Sequence, residues 1–420
     1  MKTYRLLALV ATIVILSATA ITAGERYVGG DISLLPKYVN AGARYLTHTG
    51  TAIDDPLRFF ADEGMNCMRV RLFVNPADYY GKEPDANACQ DLEYIKPLCK
   101  QIKDAGHALM LDFHYSDYWA DPSHQWTPKA WESLTDEQLY DKIYEYTRDV
   151  LTQLVEYGAT PDLIQPGNEI SYGMLWGPAD TPENRQLRVY SNSDANWDRF
   201  FNLLRRAISA CREVCPKARI LLHNERIARQ SVMLDFYTRM QKAGIDYDEI
   251  ALSYYPYYHG GIATLENAIK ALESAFPTKP IQIVEFGYPY AWEIKGNYDL
   301  SATYPYTDEG QRRLTADLIT MLNRHDSVTG LSWWWMEYNA YWTSLTGWYN
   351  APLFDSRTGR ATSALSELKN LKGSDGVTAI TADDKTTADP HYYDLSGRAF
   401  HARPSAPGIY LHHGAKVIVK

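Results

Sequence analysis

The chain is 420 residues long with a formal net charge of −9 at pH 7, and its Lys and Arg residues are scattered instead of clustered. That excludes the basic footprint a phosphate backbone demands, so nucleic acid is not an expected partner. The length exceeds the usual single-core ceiling of about 250 to 300 residues, which calls for one large barrel-type domain with insertions plus a small appendage.

At the N-terminus, Arg5 precedes an apolar run from Leu6 to Leu16, followed by small residues ending at Ala20 or Ala23. This is the layout of a signal peptide over residues 1–23, so the protein is expected to be exported: secreted, periplasmic or at the cell surface. No other stretch approaches the roughly 18 apolar residues of a membrane span, so no transmembrane segment is expected. Beyond it, short β-like runs alternate with longer segments of 3.6-residue period. The strand candidates are Tyr27 to Ile32, Asn66 to Val74, Ala108 to His114, Leu163 to Gln165, Ile220 to His223, Ile250 to Tyr255, Ile281 to Val284 and Leu331 to Trp335. Between them, Asp55-Pro56 opens the first helix, Gly106 closes the second, and Thr135 to Tyr157 carries Leu139, Ile143, Val150 and Leu154 on one face before Gly158. Helices are further expected at Asn196 to Val214, Val232 to Lys242, Thr264 to Phe276, Thr307 to Asn323 and Ser363 to Leu371.

Eight strand–helix units predict an α/β fold, a (β/α)8 TIM barrel over residues 24–372. A doubly wound open sheet would need a Gly-rich turn leading into a helix, and Gly29-Gly30-Asp31 has neither the spacing nor the helix. After Lys372 the texture changes to Gly, Ser, Thr and Asp, and then to Gly408-Ile409-Tyr410-Leu411 and Lys416-Val417-Ile418-Val419. Residues 373–420 therefore read as a linker and a small β-rich tail. The five cysteines show no ligand spacing; Cys89 with Cys99, and Cys211 with Cys215, are either bridged in an oxidising compartment or buried free thiols.

In such a barrel the chemistry sits where strands end. Glu169 follows the fourth strand and Glu285 the seventh, on opposite sides of the mouth, which is the arrangement of a paired-carboxylate glycosidase. Aromatic residues, 13% of the chain, suit such a substrate, because pyranose C–H faces stack on rings whose polar edges stay wet. Parity of the second strand turns Met68, Val70 and Leu72 toward the helices and Arg69 and Arg71 inward, where a cation needs an acid beside it. Asp112 and His114 share a face at the end of the third strand.

Together, Gly30-Asp31-Ile32-Ser33, Arg69-Val70-Arg71-Leu72-Phe73-Val74-Asn75-Pro76, Asp112-Phe113-His114-Tyr115-Ser116-Asp117, Trp119-Ala120-Asp121-Pro122, Gly167-Asn168-Glu169-Ile170, Ser253-Tyr254-Tyr255-Pro256 and Glu285-Phe286-Gly287-Tyr288 carry a resemblance. From about Tyr27 to Leu371 the chain resembles glycoside hydrolase family 53, the endo-β-1,4-galactanases of clan A. The resemblance implies Glu169 as acid/base, Glu285 as nucleophile of a retaining double displacement, and Asn168 as donor to the sugar 2-hydroxyl. It adds Arg69, Asp112, His114, Trp119, Tyr254, Tyr255 and one of Trp334 or Trp335 as substrate-binding residues, with β-1,4-galactan or its oligosaccharides as substrate. A monomer is expected.

Two departures stand out. The segment Pro289 to Glu293 lacks the Asp-, Asn- and His-rich run with which related bacterial members hold calcium after the seventh strand, so no cofactor and no metal ligands are expected. The eighth strand reads Trp333-Trp334-Trp335-Met336-Glu337 where the family has tryptophan directly followed by glutamate. Two rival readings follow: a clan-related β-mannanase, xylanase or β-glucanase, and a non-catalytic glycan-binding barrel, which has no need of both carboxylates.

Overall fold

Each strand of a closed barrel must satisfy two apolar environments at once, the helix layer outside and the packed interior, and residue parity decides which side chain meets which. A computed structural model describes residues 26–78, 87–179, 181, 186–190, 194–339 and 351–372, with the strand residues 392–394, 399–400, 408–412 and 415–419. Residues 1–23, read above as a signal peptide, and most of the expected linker lie outside the described residues.

The elements in order are β1 (Tyr27–Asp31), α1 (Leu35–Asn40), α2 (Pro56–Asp62), β2 (Cys67–Leu72), α3 (Leu92–Asp104), β3 (Ala108–Phe113), α4 (Asp136–Glu156), β4 (Leu163–Pro166), α5 (Asp194–Val214), β5 (Arg219–Asn224), α6 (Gln230–Lys242), β6 (Glu249–Tyr254), α7 (Pro256–His259), α8 (Ile262–Ala275), β7 (Ile281–Phe286), α9 (Asp308–Leu322), β8 (Val328–Trp333) and α10 (Ser363–Glu367). All eight strands are parallel and pair in sequence order, β8 closing back onto β1, so the fold is a (β/α)8 barrel. Helix starts follow local chemistry. Asp55 accepts from the Arg58 amide ahead of Pro56, and Thr135 forms a reciprocal capping box with Gln138.

The strands fall close to the expected runs except β8, expected at Leu331 to Trp335 and found at Val328–Trp333. Its start escaped notice because Thr329 and Gly330 do not look like a buried strand. Gly330 is needed there: a Cβ would stand 2.8 Å from the Tyr27 carbonyl oxygen of β1. Across β1, a Cβ on Gly29 would lie 1.7 Å from the Cys67 carbonyl oxygen, so the Gly29-Gly30 pair serves close strand contact at the seam and not a phosphate turn.

Cys67, Met110, Leu163, Leu221, Ala251 and Val284 form an apolar floor. Met68, Val70 and Leu72, like Leu109 and Leu111, belong instead to the larger layer between strands and helices. Toward the strand C-termini the inward positions become polar yet stay buried, with Arg69, Asp112, Gln165, His223 and Ser253 all unexposed. Such groups are tolerated only when paired, and their pairing builds the site.

The five cysteines are free thiols. Among the described residues no helix is long and apolar enough to cross a membrane. By contact, the chain divides into a unit ending at Gly373 and a second unit over Ser374–Lys420. The second contains an antiparallel sheet of β9 (Tyr392–Asp394), β10 (Ala399–Phe400), β11 (Gly408–His412) and β12 (Ala415–Val419) in the order β10-β9-β11-β12.

Candidate active site

The site is built on Arg69. The strand registers place Asp31 of β1 opposite Arg69, and Asp112 of β3 opposite Arg71. Arg69 has no exposure and donates from Nη2 to Asp112 at 2.9 Å and to Asn168 Oδ1 at 2.9 Å, and from Nε to Gln165 at 2.8 Å; Asp31 lies 3.4 Å from Nη1. Its Nη2 also stands 3.1 Å from Glu285 Oε1. Burial works against its charge, but Asp112, Glu285 and Asp31 together hold the guanidinium firmly protonated. Asp112 is held below the usual carboxylate range, with Arg69 and His114 outweighing its burial. His114 accepts the Ala120 amide on Nδ1 at 2.9 Å, so its proton sits on Nε2, 3.1 Å from Asp112.

Glu285 reaches this centre through an irregularity. On β7, Ile283 faces the helix layer, and simple alternation would turn Glu285 outward as well. The register against β6 shifts between Leu252/Ile283 and Ser253/Glu285, leaving Val284 as an extra residue. This β-bulge aims Glu285 inward beside Ser253, the re-aiming for which bulges recur at active sites.

Glu169 follows β4 in the left-handed region, at φ 48° and ψ 53°. A non-glycine residue there is strained by about 1–3 kcal/mol and persists only where its surroundings fix it. Its amide donates to His223 Nδ1 at 3.2 Å, His223 Nε2 meets Ser253 Oγ at 2.8 Å, and Ser253 Oγ donates to Glu169 Oε1 at 2.6 Å. Burial, and Arg69 nearby, keep His223 neutral. Both of its nitrogens are engaged, so the grouping of Glu169, His223 and Glu285 does not read as a metal centre. Tyr255 donates to Glu285 Oε2 at 2.8 Å.

The two carboxylates approach within 4.8 Å of each other, oxygen to oxygen. That suits direct attack, since a pair with water between is typically about 6.5–9.5 Å apart. Burial and the charge of Glu285 push Glu169 well above the usual carboxylate range. Burial also raises Glu285, to about 7, against the lowering effect of Arg69 and Tyr255. With one proton on the pair, it resides on Glu169.

Above the pair lies a cleft of about 910 Å³. Of the expected residues, Glu169, Glu285, His114, Trp119, Asn168, Tyr255, Trp334 and Trp335 line it. Arg69 and Asp112 lie beneath it, fully buried, and act on Glu285 and Asn168 from below. Tyr254 is not part of it. Its ring stacks on Phe286 in the helix-facing layer and its hydroxyl donates to the Gly260 carbonyl, because alternation on β6 turns Ser253 and Tyr255 inward and Tyr254 out. Sequence reasoning missed Ser253, His223 and Glu225, although the same parity, Leu221-His223-Glu225 and Ala251-Ser253-Tyr255, pointed to them. Glu225 also lines the cleft and adds to the electrostatic lift on Glu169.

After β7, where calcium was considered, the chain packs aromatically: Tyr290 stacks edge-on against Trp292, and its hydroxyl bonds Asp355 and Ser356. Among the described residues no group of three acids or histidines gathers there. The donor set does not fit the ion.

A sequence profile of Glycosyl hydrolase family 53 matches residues 27–368. An arabinogalactan endo-β-1,4-galactanase of Cellvibrio japonicus is 32% identical over 371 residues, covering 83% of this chain and 92% of that protein. Among solved structures, the GH53 catalytic domain of Ignisphaera aggregans superposes with a TM-score of 0.73 at 29% identity, covering 84% of this chain and 98% of that one. One from a study of two fungal β-1,4-galactanases gives 0.67 at 26% identity, covering 82% and 99%.

Proposed function

This chain belongs to glycosyl hydrolase family 53, and we propose accordingly that it is an exported endo-β-1,4-galactanase, cutting the galactan chains of pectic arabinogalactan with retention of anomeric configuration. The glycoside hydrolase class follows from the family; the substrate reading leans on relatives named for it. The observation that carries the mechanism is the approach of Glu169 and Glu285 to within 4.8 Å.

Glu285 attacks the anomeric carbon and forms an ester bond while the glycosidic C–O bond breaks and the departing oxygen takes the proton of Glu169. Water then gives its proton to Glu169 and its oxygen to the anomeric carbon, freeing Glu285. Asn168 accepts from Arg69 on Oδ1 and donates from Nδ2 to the Ala120 carbonyl at 2.7 Å, which fixes it beside the cleft for the sugar 2-hydroxyl. No cofactor is required, and calcium is not part of the proposal. Export rests on the N-terminal sequence alone.

The test is to incubate purified protein with unbranched β-1,4-galactan, β-mannan, xylan and β-glucan side by side and separate the products. Early oligosaccharides of several lengths from galactan alone support the reading. Preference for another polymer contradicts it, and galactose as the sole early product contradicts endo action.

A further inference from the structure

Arg71 follows Arg69 on the inward face of β2 and is fully buried, yet the chemistry above does not use it. Its Nη1 donates to Asp31 Oδ1, while Nε and Nη2 reach no hydrogen-bond acceptor among the described residues. A buried guanidinium with idle donors is costly unless other electron density meets it. Here three indoles do. The guanidinium carbon lies 4.7 Å from the ring centre of Trp119, 5.1 Å from Trp334 and 4.9 Å from Trp335, all inside the range of a cation–π contact.

All three rings line the cleft, and Arg71 itself does not. They stand edge-on or tilted to one another, with Trp119 at 6.2 Å from Trp334 and 5.9 Å from Trp335. Trp119 also packs edge-on against Phe73 and His114, and Arg71 is a neighbour common to all three indoles. Trp335 also sits at φ 52°, a left-handed backbone rare for a bulky side chain, which persists only where the surroundings over-determine it.

We propose that Arg71 is the positioning residue of the cleft's aromatic wall, clamping Trp119, Trp334 and Trp335 into one preformed stacking surface for the sugar units of a β-linked polysaccharide. The proposal rests on the polysaccharide reading above. Preformed rings lose little freedom when sugar arrives, so the clamp acts on substrate binding and not on bond cleavage.

Arg71→Lys keeps a cation for Asp31 but loses the planar face that lies against indoles. For this variant, KM for galactotetraose should rise about tenfold, about 1.4 kcal/mol, while kcat falls much less, and the KM effect should shrink for galactobiose. A purely structural Arg71 would lower the melting temperature and leave KM for the tetraose unmoved; that result overturns the proposal. If the variant does not fold, NMR of the wild-type protein decides. An arginine Nε–H resonance displaced strongly upfield by indole ring currents, and moving on titration with galactotetraose, supports the clamp; its absence overturns it. Should the wild-type enzyme prefer another β-polysaccharide, the same comparison is made on oligosaccharides of that polymer, so a wrong substrate and a wrong clamp remain distinguishable.

Discussion

Glu169 and Glu285 are legible in the sequence because Glu285 directly follows the apolar run Ile281 to Val284 and Glu169 comes three residues after the strand Leu163–Pro166, and the structure brings them within 4.8 Å. Their roles predict different behaviours. Glu285→Ala should abolish turnover, with added azide restoring a product of inverted configuration. Glu169→Ala should still form the covalent intermediate from substrates whose leaving group needs no proton, and azide should then yield a retained β-azide; an inverted azide there would exchange the two roles. Titration follows from the environment. Tyr255 donates to the ionised form of Glu285, whose pKa is already raised to about 7 by burial. Tyr255→Phe removes a lowering influence, so the acid limb of kcat/KM should move to higher pH, by roughly one unit, the worth of one hydrogen bond to a charged group. A limb that stays in place would detach Glu285 from the acid side of the profile. No sequence pattern announced that shift, because it depends on burial at a point where several strands meet.

Alternation on β2 correctly turned Arg69 and Arg71 inward, and the same rule on β5 and β6 accounts for His223, Ser253 and Tyr255. The resemblance pairs Tyr254 with Tyr255, but neighbours on one strand face opposite sides. The contrast is testable. Tyr254→Phe removes only the bond to the Gly260 carbonyl, so it should cost about 1 kcal/mol of stability with KM for galactan unchanged; a raised KM would put Tyr254 back at the cleft. The β7 bulge was not legible, since Ile281-Gln282-Ile283-Val284-Glu285 reads as ordinary alternation and the extra residue shows only in the registers against β6 and β8. The end of β8 was misjudged for a related reason: Trp334 and Trp335 look like strand residues, but the chain has already turned at them.

At the scale of the molecule, the eight-unit count was legible from periodicity, and the seam glycines explain the Gly29-Gly30 pair that periodicity could not. Because contacts separate at Gly373, truncation after it should leave kcat and KM on galactan intact; a folded but inactive product would move the boundary. Because no ligand set gathers after β7 among the described residues, EDTA should leave the melting temperature unchanged, and a large loss reversed by calcium would contradict this. Glu337, buried near Asp31, is raised to about 8, and Glu285 to about 7, above an unfolded value near 4.3. The folded state therefore retains protons that the unfolded chain releases, and this stabilisation, complete at low pH, is lost as pH rises toward 8. The melting temperature should fall between about pH 5 and pH 8, and Glu337→Gln should flatten that fall; an unflattened curve would mean that Glu337 is not among its causes. The central claim is a retaining galactanase built on one close carboxylate pair. It is tested most directly by following the anomeric proton by NMR while the wild-type enzyme digests unbranched β-1,4-galactan. The β-anomer should appear first and convert to α only by slow mutarotation, whereas an α-anomer first would place a water between the acids and contradict Glu285 as nucleophile.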